Sequence, residues 1–249
     1  MTDLPLYAPP NENRAQALAR KRDALSRLAL ESGEDYRKAV DAIAVDVVHQ
    51  TLRLTGVPVE CDDVERHSTE VSDLVQGQFA ALRLIMAEAE KKPDLTPELV
   101  SHVHRLSSPP SDGRYRTASG PRHFLQPPSP PELIGGRVEN LCDWLAADSG
   151  REMHPTERAA LAFARILEIA PFERGNFRTS HLLLSFFAVA GGYPPFYLRV
   201  EDAGAIRAEV DRAMVFDTAS LVERFSVALG HSLERCRVGV GAHAPPAPP

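Results

Sequence analysis

The feature that most constrains the fold is a short polar turn between two strongly apolar helical runs. Residues 156–169 carry apolar side chains at helical spacing, and residues 178–190 are apolar and end at a Gly-Gly pair, a natural helix C-cap. Gly175 and Asn176 lie in the turn between the two runs. A helix that begins there leaves backbone N–H groups unpaired at its N-terminus, and Arg178 adds a positive charge. The sequence therefore predicts two helices joined by an anion-binding turn.

The composition favours a helical protein with reduced cysteines. Apolar residues make up 43% of the 249 residues, which is ample for a core, and the aromatic content of 6% favours helix over strand. The net charge of −6 and the lack of a Lys/Arg stripe argue against a nucleic-acid partner. The three cysteines are too far apart in sequence for a metal knuckle, and their odd number favours free thiols.

The N-terminal residues predict no targeting or membrane segment. They lack the basic start and apolar core of a signal peptide. The longest apolar run, residues 182–192, is too short to cross a bilayer. We therefore expect a cytoplasmic protein with no membrane partner.

Helical periodicity also predicts helices outside the central pair. These helices span residues 11–32, 34–54, 62–92, 97–106, 131–147, 201–214 and 217–237. Gly77 predicts a break in the long third helix. Between residues 107 and 131 the pattern stops in a stretch rich in Pro, Ser and Gly, where residues 114–118 and 122–126 are strand-like. This stretch predicts a short hairpin, with a solvated connector as the alternative.

The central turn resembles the signature loop of the Fic (Fido) family, whose pattern is H-x-F-x-[D/E]-G-N-G-R-x-x-R. The chain matches this pattern at Phe172, Gly175, Asn176 and Arg178. The resemblance implies an all-α fold, with a Fic-like helical core and a short β-hairpin flap at residues 93–240. Residues 1–92 would form an N-terminal helical extension, and residues 241–249 a disordered tail. Enzymes of this family mostly transfer AMP from ATP to a hydroxyl group of a target protein.

The loop departs from the family pattern at four positions. Ala170 replaces the His that acts as general base, Arg174 the acidic Mg²⁺ ligand, Phe177 the second Gly, and His181 the second Arg. Because Ala170 has no proton acceptor, Glu173 and His181 are the candidate bases. Without the acidic ligand we expect no metal site, and Arg174 with Arg178 would bind an anion directly, together with Gly175 and Asn176.

Four residues of the loop also have structural alternatives. Glu173 is favoured as a solvated loop carboxylate, and His181 would line the pocket without a chemical role. Arg174 would point into solvent or pair with Glu173. Phe177 would either narrow the nucleotide site or pack inward as core.

Two further segments resemble family elements. Many Fic proteins carry an inhibitory helix with the pattern [S/T]-x-x-x-E-[G/N], which Ser72, Gln76 and Gly77 resemble. Since Gln76 and His181 replace both partners of the family's salt bridge, we expect a hydrogen bond between them. The family's Gly-x-Tyr-Arg segment before the flap is matched here, and it implies target docking by Gly113, Tyr115, Arg116 and Thr117.

Three functional interpretations follow from the resemblance. In the first, the protein has lost metal-dependent AMP transfer and binds a phosphate-bearing or other anionic ligand, or a protein partner. In the second, it is an active nucleotidyl or phosphoryl transferase that works without metal, using Glu173 or His181 with Arg174. In the third, it is a purely structural interaction protein. Because the base, the metal ligand and the second Gly are lost together while the anion-binding residues remain, we favour the first.

The favoured interpretation also limits cofactors and partners. The ligands that fit are a nucleotide or a phosphate-bearing small molecule bound without Mg²⁺, and the protein partner would be a target docked on the flap. The sequence does not indicate an oligomeric state.

Overall fold

The computed structural model of the chain describes residues 9–66, 72–91, 94–120 and 122–241, and within these ranges it is helical with no strand. Short 3-10 turns precede α6 and α10. The helices are α1 (Glu12–Glu31), α2 (Gly33–Leu54), α3 (Cys61–Arg66), α4 (Ser72–Glu90), α5 (Pro97–Ser107), α6 (Ile134–Ala146), α7 (Asp148–Arg151), α8 (Pro155–Ile169), α9 (Asn176–Ala190), α10 (Ala203–Ala213) and α11 (Ala219–Gly241). No helix in the described ranges is long and apolar enough to cross a bilayer.

The core is built around α8 and α9, which pack against each other more extensively than any other two described helices. Residues 179–188 of α9 are all buried because other helices surround it. It is covered by α4 and α5 on one part of its surface and by α2 on another, while α11 packs on α8, α2 and α1. The helices of the expected N-terminal extension therefore share one apolar core with the central pair.

The predicted break at Gly77 is wrong. Helix α4 runs without a break through Gly77. A Cβ atom at Gly77 would lie 2.3 Å from the carbonyl oxygen of Leu106, so any larger residue would clash with α5. This glycine permits two helices to approach closely rather than ending one of them.

The predicted β-hairpin is also wrong, since the described residues between 107 and 131 form no strand. Side chains donate hydrogen bonds to the carbonyl groups that would have paired with a neighbouring strand. Arginines donate hydrogen bonds to these carbonyls, from Arg116 to Ala118, from Arg122 to Leu125 and from Arg207 to His123. The prolines of the segment further remove backbone donors that a ladder requires.

Candidate functional site

The turn between α8 and α9 is the candidate site. Helix α8 ends at Ala170, which adopts the left-handed conformation (φ 47°, ψ 62°) and donates its N–H to the Ile166 carbonyl. Helix α9 starts after Gly175, which is also left-handed at φ 79°. A Cβ atom at Gly175 would lie 2.3 Å from the Ser108 hydroxyl and 3.0 Å from His104. Only glycine fits between this backbone and the end of α5.

The side chain of Asn176 stabilises the turn by hydrogen bonds to the backbone of Phe172. Its Oδ1 accepts the Phe172 N–H at 2.9 Å, and its Nδ2 donates to the Phe172 carbonyl at 2.7 Å. The Phe172 ring is buried and stacks on the His104 ring with centroids 3.6 Å apart. Asn176, predicted to bind the anion, thus has its polar side-chain atoms engaged in shaping the loop.

Unpaired donors gather at the first turn of α9. The backbone N–H groups of residues 176–178 precede the first intrahelical bond, which Thr179 makes to Gly175. Arg178 is half-buried, and its Nε has no hydrogen-bond partner. Burial, and then the charge of Arg174, lowers the pKa of the Arg178 guanidinium. Two arginines and the positive end of a helix dipole therefore share one turn.

No counter-ion neutralises these arginines within the described ranges of the chain. Arg174 and Glu173 are both exposed, and no ion pair joins them. Of the two alternatives for Arg174, exposure to solvent is the one observed. The two residues are neighbours with free charged groups, and Arg174 is accessible to a ligand.

His181 is not a candidate base. It is fully buried, its Nε2 accepts the Leu198 N–H at 2.9 Å, and its Nδ1 lies 2.7 Å from the Thr51 hydroxyl. Burial lowers its pKa to about 3, so the ring is neutral, with the proton on Nδ1. The expected hydrogen bond to Gln76 is also wrong, since Gln76 is exposed while both His181 nitrogens have other partners.

Phe177 packs inward, the second of its two alternatives. Its ring meets Phe163 edge-on at 5.5 Å and stacks over His181 at 6.0 Å. The ring belongs to the partly buried layer around the core.

His104 is a site residue that sequence reasoning missed. It lies on α5, is 2% exposed, and its Nδ1 is 3.1 Å from the Thr179 hydroxyl, which donates to the Gly175 carbonyl. Burial and the charge of Arg178 lower its pKa to about 4. No spacing in the sequence connects position 104 with the turn, because their contact depends on how α5 packs against α9.

The expected docking residues divide into structural and exposed positions. Gly113 lies against the Ser101 carbonyl, 2.7 Å from where its Cβ would be, and Tyr115 is half-buried beside Phe172. Thr117 is exposed. The fourth residue, Arg116, requires a different assignment.

Arg116 is a buried anchor, not a docking residue. It is 4% exposed and donates to the carbonyls of Ala170 (2.7 Å), Ile169 (3.3 Å) and Ser129. Its own N–H donates to the Pro171 carbonyl at 2.9 Å. The guanidinium therefore caps the C-terminus of α8 and holds the following loop in place.

The described residues contain no metal-binding cluster, and the four clefts found on the surface lie away from the turn. No group of three His, Cys, Asp or Glu side chains in these ranges is arranged to hold a metal ion. Four clefts of about 320 to 950 Å³ open elsewhere on the surface, and none of these four is lined by residues 170–178. The turn is a cationic site in which Arg174 is exposed and Arg178 is half-buried.

Comparison with known proteins gives matches in sequence. Residues 94–188 match the family model described as Fic/DOC family. The chain is 30% identical over 200 residues to the protein adenylyltransferase Fic of Drosophila yakuba, and 29% over 174 residues to fic-1 of Caenorhabditis elegans, also named a protein adenylyltransferase. These alignments cover 74% and 68% of this chain but only 40% and 33% of the relatives. The chain thus spans two fifths or less of their length.

Solved structures show the same fold. A Fic domain containing signaling protein from Bacteroides thetaiotaomicron superposes with a TM-score of 0.81 at 20% identity, over 93% of this chain and 98% of its own. Fic-1 from Caenorhabditis elegans superposes with a TM-score of 0.78 at 23% identity, over 91% of this chain and 71% of its own.

Proposed function

Since the chain belongs to the Fic/DOC family, we propose that it binds a phosphate-bearing ligand at the turn before α9 without Mg²⁺ and does not catalyse metal-dependent AMP transfer. The observation that carries this proposal is the start of α9, where Gly175 supplies no side-chain cap and the exposed Arg174 and half-buried Arg178 lie in the same turn. The unpaired N–H groups of a helix N-terminus and two guanidinium groups are donors and positive charges that an anion can engage together.

The loss of the transfer reaction follows from the missing base. A positioned general base contributes roughly 10²- to 10⁴-fold in rate. Ala170 has no acceptor, and the nearby rings of His104 and His181 are buried and held by hydrogen bonds. None of these side chains can take a proton from a hydroxyl group of a bound protein.

The loss of the metal follows from charge. Arg174 stands where the family pattern has its acidic ligand, and a guanidinium repels a cation and has no lone pair to donate. The same group is a forked donor to phosphate oxygens. We therefore assign to Arg174 and Arg178 the neutralising role that Mg²⁺ has in the family's enzymes.

The test is a thermal-shift titration with phosphate, pyrophosphate, ADP and ATP in the presence of a chelator. Ligand binding to the folded chain raises stability by RT ln(1 + [L]/Kd), so we expect a saturable rise in Tm. Arg178→Ala should abolish the rise. Arg27→Ala is the matched control, because it removes an exposed arginine of α1 and the same formal charge.

Two results would contradict the proposal. If none of the anions raises Tm, the turn is not a binding site and a structural interaction protein becomes the better account. If labelled AMP appears on any protein and Glu173→Ala removes that transfer, the chain is an enzyme that uses its exposed carboxylate as the base.

A further inference from the structure

A long cleft follows one face of α11. Its volume is about 950 Å³, and residues 170–178 have no part in it. Seven residues of α11 from Ser220 to Arg235 line it at helical spacing, so they form a single stripe along the helix. The stripe is about 22 Å long at the usual rise of about 1.5 Å per residue. Residues 197–199 form another part of the wall.

Each arginine of the cleft already has a carboxylate partner. Arg224 pairs with Asp202 at 3.2 Å and with Glu209. Arg235 pairs with Asp46 at 2.7 Å. Among the described residues, none of the buried polar atoms that lack a hydrogen bond belongs to the lining of this cleft. The cleft therefore offers a small polar ligand no unused buried group.

Apolar side chains lie between these ion pairs. Val227 and Ala228 come between Arg224 and Arg235 on the stripe, and both are half-buried. Leu198 adds a buried apolar side chain to the wall. An occupant that brings apolar side chains of its own would remove this surface from water, which is favourable. An extended chain segment with leucine and aromatic residues has that chemistry.

The chain enters α1 beside one end of this cleft. Arg14 pairs with Glu223 at 2.6 Å, and Leu18 Cδ2 lies 3.7 Å from the position where a Cβ of Gly230 would be. Helices α1 and α11 therefore run in the same direction, with their first turns side by side. Pro10, one turn before Arg14, is buried. The residues that precede it in sequence thus start from the N-terminal end of the stripe.

We propose that residues 3–7 of the same chain, Asp-Leu-Pro-Leu-Tyr, occupy this cleft. These residues lie outside the described ranges. Leu4, Leu6 and Tyr7 supply the apolar side chains, and Pro5 removes one backbone donor that would need a partner in an apolar groove. The inference does not depend on the proposed function, because the cleft and the turn before α9 share no residue.

The length of the segment matches the length of the cleft. An extended chain rises about 3.1 Å per residue, so Tyr7 lies about 9 Å and Asp3 about 22 Å back from Pro10. Along α11 these distances reach the levels of Val227 and Arg235, respectively. The only acidic side chain among residues 1–8 then meets a guanidinium group. The side chain of Arg235 is 53% exposed, so it is accessible to a second carboxylate.

The experiment is disulfide trapping in the full chain. Cys61→Ser first removes the one free thiol that is not buried among the described residues. Leu6→Cys is then combined with Ala228→Cys, because the same arithmetic places residue 6 level with Ala228. A glutathione redox buffer measures the effective concentration of the two thiols. The measured Tm of each reduced variant confirms that it is folded.

Leu6→Cys with Ala147→Cys is the matched control. Ala147 is exposed after α6 and does not line the cleft. We expect the Ala228 pair to form a disulfide within one chain at an effective concentration at least about tenfold above that of the control pair.

A second comparison changes only the segment. Leu4→Ala, added to the Ala228 pair, should lower the effective concentration by about threefold or more because it removes buried apolar area. Thr2→Ala, outside the proposed contact, should leave it unchanged. Both changes precede α1, so the helices of the body are unaltered.

Three results would overturn the proposal. Equal trapping by the Ala228 pair and the Ala147 pair would show that the segment does not occupy the cleft. A disulfide that joins two chains would show that the occupant is the segment of a second copy. Equal trapping in Leu4→Ala and Thr2→Ala would show that apolar side chains do not hold the segment.

Discussion

At the scale of single residues, Ala170 adopts a left-handed backbone conformation that is unfavourable for any residue except glycine. Its left-handed φ of 47° puts an L side chain in a region that costs about 1 kcal/mol or more. The Arg116 guanidinium compensates by donating to the Ala170 carbonyl. The shape of the turn is thus maintained although the residue at this position has no reactive group.

We expect Ala170→Gly to raise the free energy of unfolding by about 1 kcal/mol, because glycine reaches left-handed φ values without a Cβ clash. Ala24→Gly on the exposed face of α1 is the control and should lower it by about 0.5 to 1 kcal/mol. Urea denaturation measures both changes. If the two variants lose stability equally, Ala170 carries no strain.

At the scale of elements, local pattern predicted the helices better than the connections. The helices predicted over residues 11–32, 34–54 and 97–106 have boundaries within about one residue of those of α1, α2 and α5. The capping residues and the apolar spacing that define a helix lie within its own stretch of sequence. The prediction of a hairpin was wrong because arginine side chains, Arg116 among them, donate hydrogen bonds to the carbonyl groups of that segment. Such side chain to backbone bonds leave no periodic trace in a sequence.

Arg116→Lys tests whether that segment depends on one guanidinium. Lysine keeps the charge but has no planar fork, so it cannot reach the carbonyls of Ala170, Ile169, Ala118 and Ser129 together. We expect the free energy of unfolding to fall by about 2 kcal/mol or more. Arg114→Lys, whose side chain is 88% exposed, should change it by less than about 0.5 kcal/mol.

Equal stability of these two lysine variants in the same denaturation assay would show that Arg116 is not an anchor. Arg116 would then again be a candidate for docking a target protein, as its position in the sequence predicts. The present geometry gives that role no support, because the guanidinium is inside the protein.

At the scale of the whole molecule, His181 joins parts of the chain that are far apart in sequence. It connects α9 with Thr51 on α2 and with the backbone of Leu198. The family fold was predictable from the loop between residues 170 and 181, which is local. The role of His181 was not, because it depends on which helix happens to cover that face of α9.

Two buried histidines make stability fall in acid. The pKa values of His181 and His104 are about 3 and about 4, below the usual 6.5, because burial disfavours the charged ring. Below pH 6.5 the unfolded chain binds protons that the folded chain does not, so the free energy of unfolding falls by up to about 1.4 kcal/mol per pH unit for each ring. Well above pH 6.5 both rings are neutral in the folded and in the unfolded chain, so they contribute no pH dependence to the free energy of unfolding.

Urea denaturation from about pH 6.5 to about pH 4.5 measures this slope. His181→Gln should make it shallower, whereas His231→Gln, which alters an exposed ring on α11, should leave it unchanged. A slope that is identical in all three proteins would mean that His181 takes up a proton while still folded.

The most direct test of the central claim is the dissociation constant of pyrophosphate, measured by calorimetry first with a chelator and then with Mg²⁺. Two arginines and a helix N-terminus supply all the positive charge in our account, so the two constants should agree within about a factor of two or three. Binding that is about tenfold or more tighter with Mg²⁺ would contradict it. It would mean that a metal ion acts at the turn in spite of Arg174.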